Sequence, residues 1–78
     1  MTTVDELTEF IRSSLNLKDI TEDSGMGKVR GWDSLNHVSL VMSMEEEYDI
    51  EIPPDMIGEL TSVAEIVEFF KEEGAIAE

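Results

Sequence analysis

Apolar residues recur at helical spacing in three stretches of the chain. The first stretch follows a capping-box pattern, Thr3-x-x-Glu6, and predicts a helix over about residues 4–15. The last follows the same pattern at residues 62–65 and predicts an amphipathic helix that ends near Gly74, because glycine readily terminates helices.

The middle stretch, from about Ser34 to Tyr48, predicts a helix with two apolar stripes. The stripes lie roughly a quarter turn or more apart, so the helix is apolar over more than one face. The first is a core stripe and contains Leu40, Val41, Met44 and Tyr48. The second contains Leu35, Val38 and Met42. Either both stripes are buried in a helical domain, or the second is a docking surface.

Residues 17–33 are rich in glycine, aspartate and serine, a composition that indicates turns. A loop of this length is uncommon in a compact domain and is usually functional. A short helical turn is predicted from Pro54 to about Gly58. The side chains expected to hold the loop against the core are Leu17, Ile20, Met26 and Val29.

These elements predict an all-α fold: a small four-helix bundle with three main helices, one short helix and a long loop between helices 1 and 2. A chain of 78 residues allows one domain, residues 1–78, with a modest core. It leaves little room for a deep substrate pocket together with a catalytic constellation. The length therefore argues against an enzyme.

The chain is strongly acidic, with 19 acidic and 5 basic side chains and a formal net charge of -14. Residues 33–78 hold most of this excess, because Lys71 is their one lysine and they contain no arginine. Such a field repels nucleic acid and anionic membranes and attracts proteins with basic patches. The alternative is that the charge only keeps a small domain in solution.

Composition also excludes several kinds of site. The chain has no cysteine, which excludes disulfides and thiolate metal sites, and the single histidine, His37, cannot anchor a zinc site alone. We therefore predict no metal site. No apolar run approaches the length of about 18 residues that suggests a membrane span. The first residues lack the features of a signal peptide, so we expect a cytoplasmic protein.

The start of the second helix is the candidate for chemistry. Asp33 is a good N-cap, which makes Ser34 the first helical residue and leaves its hydroxyl exposed. Capping alone is the simplest explanation of this pair. A phosphate ester on Ser34 would, however, lie where free backbone N–H groups and the helix dipole favour an anion. His37 lies one turn on, but no Gly-x-Ser-x-Gly elbow is present, so a modified serine explains more than a catalytic one.

The sequence around this serine resembles acyl carrier proteins, and the resemblance covers nearly the whole chain. The triplet around Ser34 is weakly specific alone, but its combination with this acidity, length and helix layout is strongly specific. The matching motifs are Asp33-Ser34-Leu35, Val38-x-Leu40, Glu45-Glu46-Glu47-Tyr48, Ile50-x-Ile52-Pro53 and residues 20–23 and 60–63.

The resemblance implies a monomeric carrier that performs no bond chemistry itself. A phosphopantetheinyl transferase would attach a 4′-phosphopantetheine arm from coenzyme A to Ser34, beside Asp33. The thiol of the arm would hold acyl groups as thioesters and present them to acyl-loading and acyl-processing enzymes with basic patches. Nucleic acid and membranes are not among the implied partners.

The resemblance also assigns roles along the second helix, which would be the docking helix. Its apolar contacts with partners would be Leu35, Val38 and Met42. Its acidic contacts with basic surfaces would be Glu45 and Glu46. The residues that would help to line a space for the acyl chain are Leu40, Met44 and Tyr48.

Several departures from fatty-acid carriers indicate a specialised pathway. Trp32 stands at a position that is usually small, and Lys28-Val29-Arg30 stands where acids are usual. The pattern Trp-Asp-Ser-Leu-x-His is similar to discrete carriers of small polar, amino or hydroxy acyl groups. One alternative is an aminoacyl or peptidyl carrier of a nonribosomal system. Another is a non-carrier acidic interaction protein with the same fold.

Overall fold

The computed structural model describes residues 2–76, so residues 1, 77 and 78 of the predicted domain lie outside the described residues. Its helices are α1 (Val4–Ser14), α2 (Ser34–Tyr48), α3 (Pro54–Ile57) and α4 (Val63–Glu72). This confirms the predicted bundle of three main helices and one short helix. The only β pairing within residues 2–76 is an isolated bridge between Gly25 and Ser62.

Both predicted caps start their helices, but they are built differently. In α1, the Thr3 hydroxyl accepts the Glu6 N–H at 3.2 Å, and the Glu6 carboxylate accepts the Thr3 N–H at 3.3 Å. In α4, Ser62 Oγ accepts the Glu65 N–H at 3.3 Å, but the Glu65 carboxylate accepts from the Ser62 hydroxyl at 2.9 Å. The α4 cap is therefore one half of the predicted box.

The three main helices surround one apolar core, with α1 packed against both α2 and α4. Tyr48 at the end of α2 joins them, because its ring meets Phe10 of α1 and Phe70 of α4 edge to face. The ring centroids are 5.4 and 5.5 Å apart, a favourable separation for such pairs. The fully buried side chains include Leu7, Ile11, Trp32, Leu40, Val41, Met44, Val63, Ile66 and Phe70.

The long loop is held to the core as predicted: Leu17 is buried, and Ile20, Met26 and Val29 pack against the core while partly exposed. Hydrogen bonds to the start of α4 hold it as well. Val63 N–H donates to the Ser24 carbonyl at 3.0 Å, and Ala64 N–H donates to the Glu22 carbonyl at 3.1 Å. The loop therefore satisfies backbone donors that the first turn of a helix leaves free.

None of the helices in residues 2–76 combines the length and the apolar character that a bilayer span requires.

Candidate functional site

The start of α2 is fixed by hydrogen bonds from both sides of Ser34. Asp33 has extended backbone angles, and its Oδ1 accepts the Asn36 N–H at 2.8 Å. The Asn36 side-chain amide donates to the Gly31 carbonyl at 2.9 Å, and Gly31 has a positive φ of 97°. Asp33 is therefore the predicted N-cap, and Ser34 is the first residue of the helix.

Ser34 is exposed, and its surroundings suit a phosphate ester. The first turn of α2 contains no acidic side chain, so no carboxylate after the N-cap opposes an anion there. The helix dipole places partial positive charge at this end, and its first N–H groups lack intrahelical partners. A phosphate linked to Ser34 is compatible with this end of the helix.

His37 does not serve Ser34, although it lies one turn away. Its side chain is buried, and both ring nitrogens are engaged. The Trp32 indole N–H donates to Nδ1 at 2.9 Å, so Nδ1 carries no proton. Nε2 then carries the proton and donates to the Ile57 carbonyl at 2.8 Å. The imidazole faces the core, so His37 is not placed to act as a base for Ser34.

Trp32 and His37 form a buried polar connection between three segments: the end of the loop, α2 and the end of α3. The Trp32 side chain is 1% exposed, and its ring stacks near the imidazole with centroids 6.0 Å apart. Breaking these hydrogen bonds without replacement would leave buried polar groups unsatisfied, at a cost of about 1–3 kcal/mol for each group. Sequence reasoning missed this connection.

The sequence did contain a signal for it. His37, Leu40, Val41 and Met44 have the spacing i, i+3, i+4 and i+7, so the buried stripe of α2 begins at His37. A buried indole N–H also needs an acceptor, and His37 is one turn beyond Trp32.

The second apolar stripe of α2 is exposed. Leu35, Val38 and Met42 are 79%, 45% and 63% exposed, whereas Leu40, Val41 and Met44 are buried. The interpretation that both stripes are buried is therefore wrong. The structure places three exposed apolar side chains in a line that starts next to Ser34.

The two acidic residues expected on this face differ in their surroundings. Glu45 is half-buried, and its Oε2 accepts the Ile52 N–H at 3.0 Å, which ties the end of α2 to the segment before α3. Glu46 is exposed. Farther along, burial raises the pKa of the Tyr48 phenol, and the nearby carboxylates of Glu47 and Glu6 raise it further.

Within residues 2–76, three cavities stand out, and each is a surface groove away from Ser34. The largest of the three, about 560 Å³, lies between α1 and the end of α2 and is lined by Phe10 and Tyr48 among others. The second, about 280 Å³, lies between α1 and α4. The third, about 210 Å³, lies beside Glu46. Of the residues expected to line an acyl space, only Tyr48 lines one of these grooves.

The described residues contain no cluster of histidine, cysteine, aspartate or glutamate side chains that could hold a metal ion.

Comparison with known proteins identifies the family. A family model described as "Phosphopantetheine attachment site" matches residues 5–70. An acyl carrier protein of Sulfurovum sp. is 36% identical over 73 residues, which cover 91% of this chain and 97% of that protein. The chain belongs to the acyl carrier protein family. Like other members, this acyl carrier protein is a carrier and not an enzyme, and it uses a covalently attached 4′-phosphopantetheine group.

The chain is also similar to a longer relative and to a solved structure. The mitochondrial acyl carrier protein of Saccharomyces cerevisiae is 41% identical over 68 residues, which cover 85% of this chain but 54% of that protein. The chain thus spans about half the length of the yeast relative. The solution structure of the holo acyl carrier protein from Geobacter metallireducens superposes with a TM-score of 0.79 at 26% identity, covering 96% of this chain and 88% of that one.

Proposed function

We propose that Ser34 is the residue to which the 4′-phosphopantetheine arm is attached. The observation that carries this proposal is an exposed serine at the capped start of α2, where the helix favours an anion. When attached, the arm supplies the thiol that holds acyl groups as thioesters.

The attachment would be a phosphoryl-group transfer from coenzyme A. Ser34 Oγ would form a new bond to phosphorus, the pyrophosphate bond of coenzyme A would break, and adenosine 3′,5′-bisphosphate would leave. The serine proton needs a base. His37 is turned into the core with both nitrogens bonded, so it is not available, and we expect the transferase to supply the base.

The exposed stripe Leu35, Val38 and Met42 is our candidate for the surface that partner enzymes bind. Three large apolar side chains exposed in line on one helix form a patch that a partner helix or groove could cover. Glu46 lies beside the patch and is free to meet a basic side chain. Glu45 has a structural contact as well, so we expect Glu46 to contribute more to charge recognition than Glu45.

We further propose that the chain acts as a single carrier domain, residues 1–78, in a specialised pathway of the cytoplasm. Trp32 and His37 support the pathway, because Trp32 stands at a position that is usually small in fatty-acid carriers and both residues belong to the Trp-Asp-Ser-Leu-x-His pattern. The expected partners are a phosphopantetheinyl transferase and acyl-loading and acyl-processing enzymes with basic patches. We expect the carrier to bind them as a monomer.

Intact-mass measurement after treatment with a broad phosphopantetheinyl transferase and coenzyme A tests the attachment site. Wild-type protein should gain the mass of one phosphopantetheinyl group. Ser34→Ala should keep the helical spectrum and gain nothing. Ser39→Ala, which changes another exposed serine of α2, is the matched control and should load normally. A mass gain on Ser34→Ala would show that another residue is modified.

A further inference from the structure

We propose that the Trp32–His37–Ile57 hydrogen-bond chain closes the α2–α3 side of the core, so that this carrier holds a short or polar acyl group outside the core. The proposal rests on the proposed function, since it concerns an acyl group carried on Ser34. It assigns to His37 and Trp32 a role in cargo selection.

The hydrogen bond between His37 and Ile57 joins α2 directly to α3. His37 faces inward one turn after Ser34, and Ile57 is the last residue of α3. If an alkyl chain that starts at Ser34 entered the core between these helices at His37, it would part His37 Nε2 from the Ile57 carbonyl, now 2.8 Å apart. An alkyl chain offers neither atom a new hydrogen-bond partner, so entry leaves polar groups unsatisfied.

Trp32 is buried beside His37 and is fixed at several points. Its indole N–H is bonded to His37 Nδ1, so the ring cannot swing out without leaving a buried acceptor unpaired. Its backbone N–H donates to the Val29 carbonyl at 3.1 Å, and its carbonyl accepts the Gly27 N–H at 3.0 Å. The tryptophan is therefore held through both its side chain and its backbone.

The three grooves described above lie elsewhere. None of the three grooves is lined by Trp32, His37 or Ile57. With the bond between His37 and Ile57 intact, a long alkyl chain on Ser34 would remain in water, which is unfavourable in proportion to its apolar area. A short or polar acyl group loses little by remaining there. This difference favours short or polar cargo on the wild-type carrier.

A chain-length series tests the closure. Wild-type protein is loaded by a broad phosphopantetheinyl transferase with acetyl-, hexanoyl- or decanoyl-coenzyme A, and intact mass verifies each product. The absence of any mass gain, also with coenzyme A itself, would overturn the proposed function and this proposal with it. With loading verified, we expect the same melting temperature and the same indole N–H chemical shift of Trp32, the single tryptophan, in all three forms.

A rise in melting temperature with chain length in the wild type, or a displaced Trp32 indole resonance in the decanoyl form, would overturn the closure while leaving the attachment to Ser34 intact.

His37→Ala removes the link to α3, so its decanoyl form should melt a few degrees above its acetyl form. If His37→Ala does not fold, Trp32→Phe is the second test variant, because it keeps an aromatic ring without the indole N–H. Its decanoyl form should also melt above its acetyl form, by a smaller difference. Ser39→Ala should behave as wild type. A folded His37→Ala protein without chain-length dependence would overturn the role of His37.

Discussion

Asp33 and His37 lie one turn apart at the start of α2 and use their polar atoms in opposite environments. The Asp33 side chain is exposed and accepts a backbone N–H, which leaves its charge in solvent beside Ser34. The His37 side chain is buried and acts as acceptor at one nitrogen and donor at the other, so it is neutral in this arrangement. Asp33 thus caps the start of α2, and His37 anchors the helix in the core.

Substitutions of Asp33 separate its capping role from its charge. Asparagine is as good an N-cap as aspartate, so Asp33→Asn should change the free energy of unfolding by less than about 1 kcal/mol. Asp33→Ala removes the cap and should cost about 0.5–2 kcal/mol. If the transferase recognises the Asp33 carboxylate, both variants should be loaded with phosphopantetheine more slowly. Urea unfolding and transferase rates measure the two effects, and a normal rate for Asp33→Asn would limit Asp33 to capping.

At the scale of elements, α2 is apolar on two faces but buries one. His37, Leu40, Val41 and Met44 face the core, while the stripe Leu35, Val38 and Met42 is exposed. Because the stripe is exposed, its side chains contribute little to the stability of the domain. The same exposure leaves them available for binding. The face of α2 that stabilises the domain is therefore separate from the face that we propose partners bind.

Two valines on α2 test this separation with the same substitution. Val38 is 45% exposed and Val41 is 1% exposed. Val38→Ala should slow loading by the transferase and change the free energy of unfolding by less than about 0.5 kcal/mol. Val41→Ala should cost about 2 kcal/mol, because it removes buried carbon atoms and leaves a cavity. Equal losses of stability in urea unfolding would contradict the assignment of the two faces.

The contact between the long loop and α4 depends on a glycine that has no room for a side chain. A Cβ atom on Gly25 would lie 2.6 Å from the Thr61 carbonyl oxygen, a backbone atom. Gly25→Ala should therefore destabilise the fold by about 1–3 kcal/mol. Gly58 is the control: its φ is -75°, and nothing lies within 4 Å of a Cβ there.

Gly58→Ala should be neutral or stabilise by up to about 1 kcal/mol, because alanine restricts the unfolded chain. Urea unfolding of the two variants measures both changes. If Gly25→Ala is as stable as wild type, the loop moves freely relative to α4, and the close approach does not constrain it.

For the whole molecule, the dominant property is its net charge of -14. Only one salt bridge, Arg12 with Glu9, is present in residues 2–76, so most carboxylates repel one another without compensation. That ion pair lowers the pKa of the Glu9 carboxyl, chiefly through a hydrogen bond from Arg12. The charge should strain the free fold and at the same time attract basic partners.

Salt should therefore change stability and association together. Charges are screened over about 8 Å at physiological ionic strength, so added salt or a few millimolar magnesium should raise the melting temperature by relieving repulsion. The same salt should slow association with the transferase, because electrostatic steering weakens. Thermal melts and stopped-flow binding over one salt series measure both. Salt-independent association would leave recognition to Leu35, Val38 and Met42 alone.

The helices were predictable from sequence because the interactions that start and end them are local. The cap of α1 joins residues three apart, and the N-cap of α2 does the same. Proline at the start of α3 is equally local in its effect. The position of Ser34 at a helix start, and with it the candidate attachment site, follows from these short-range patterns.

The tertiary structure decided whether the stripe Leu35, Val38 and Met42 is buried as well, because both stripes have helical spacing and burial depends on where α1 and α4 pack. It also decided what His37 does. The bond from His37 to Ile57 spans 20 residues, and no pattern around either residue specifies a partner that far away. The bond from Trp32 to His37, by contrast, joins residues five apart, and the sequence did contain a signal for it. Contacts between distant segments depend on the packing of the whole chain, and for that reason the link from His37 to Ile57 could not be seen in the sequence.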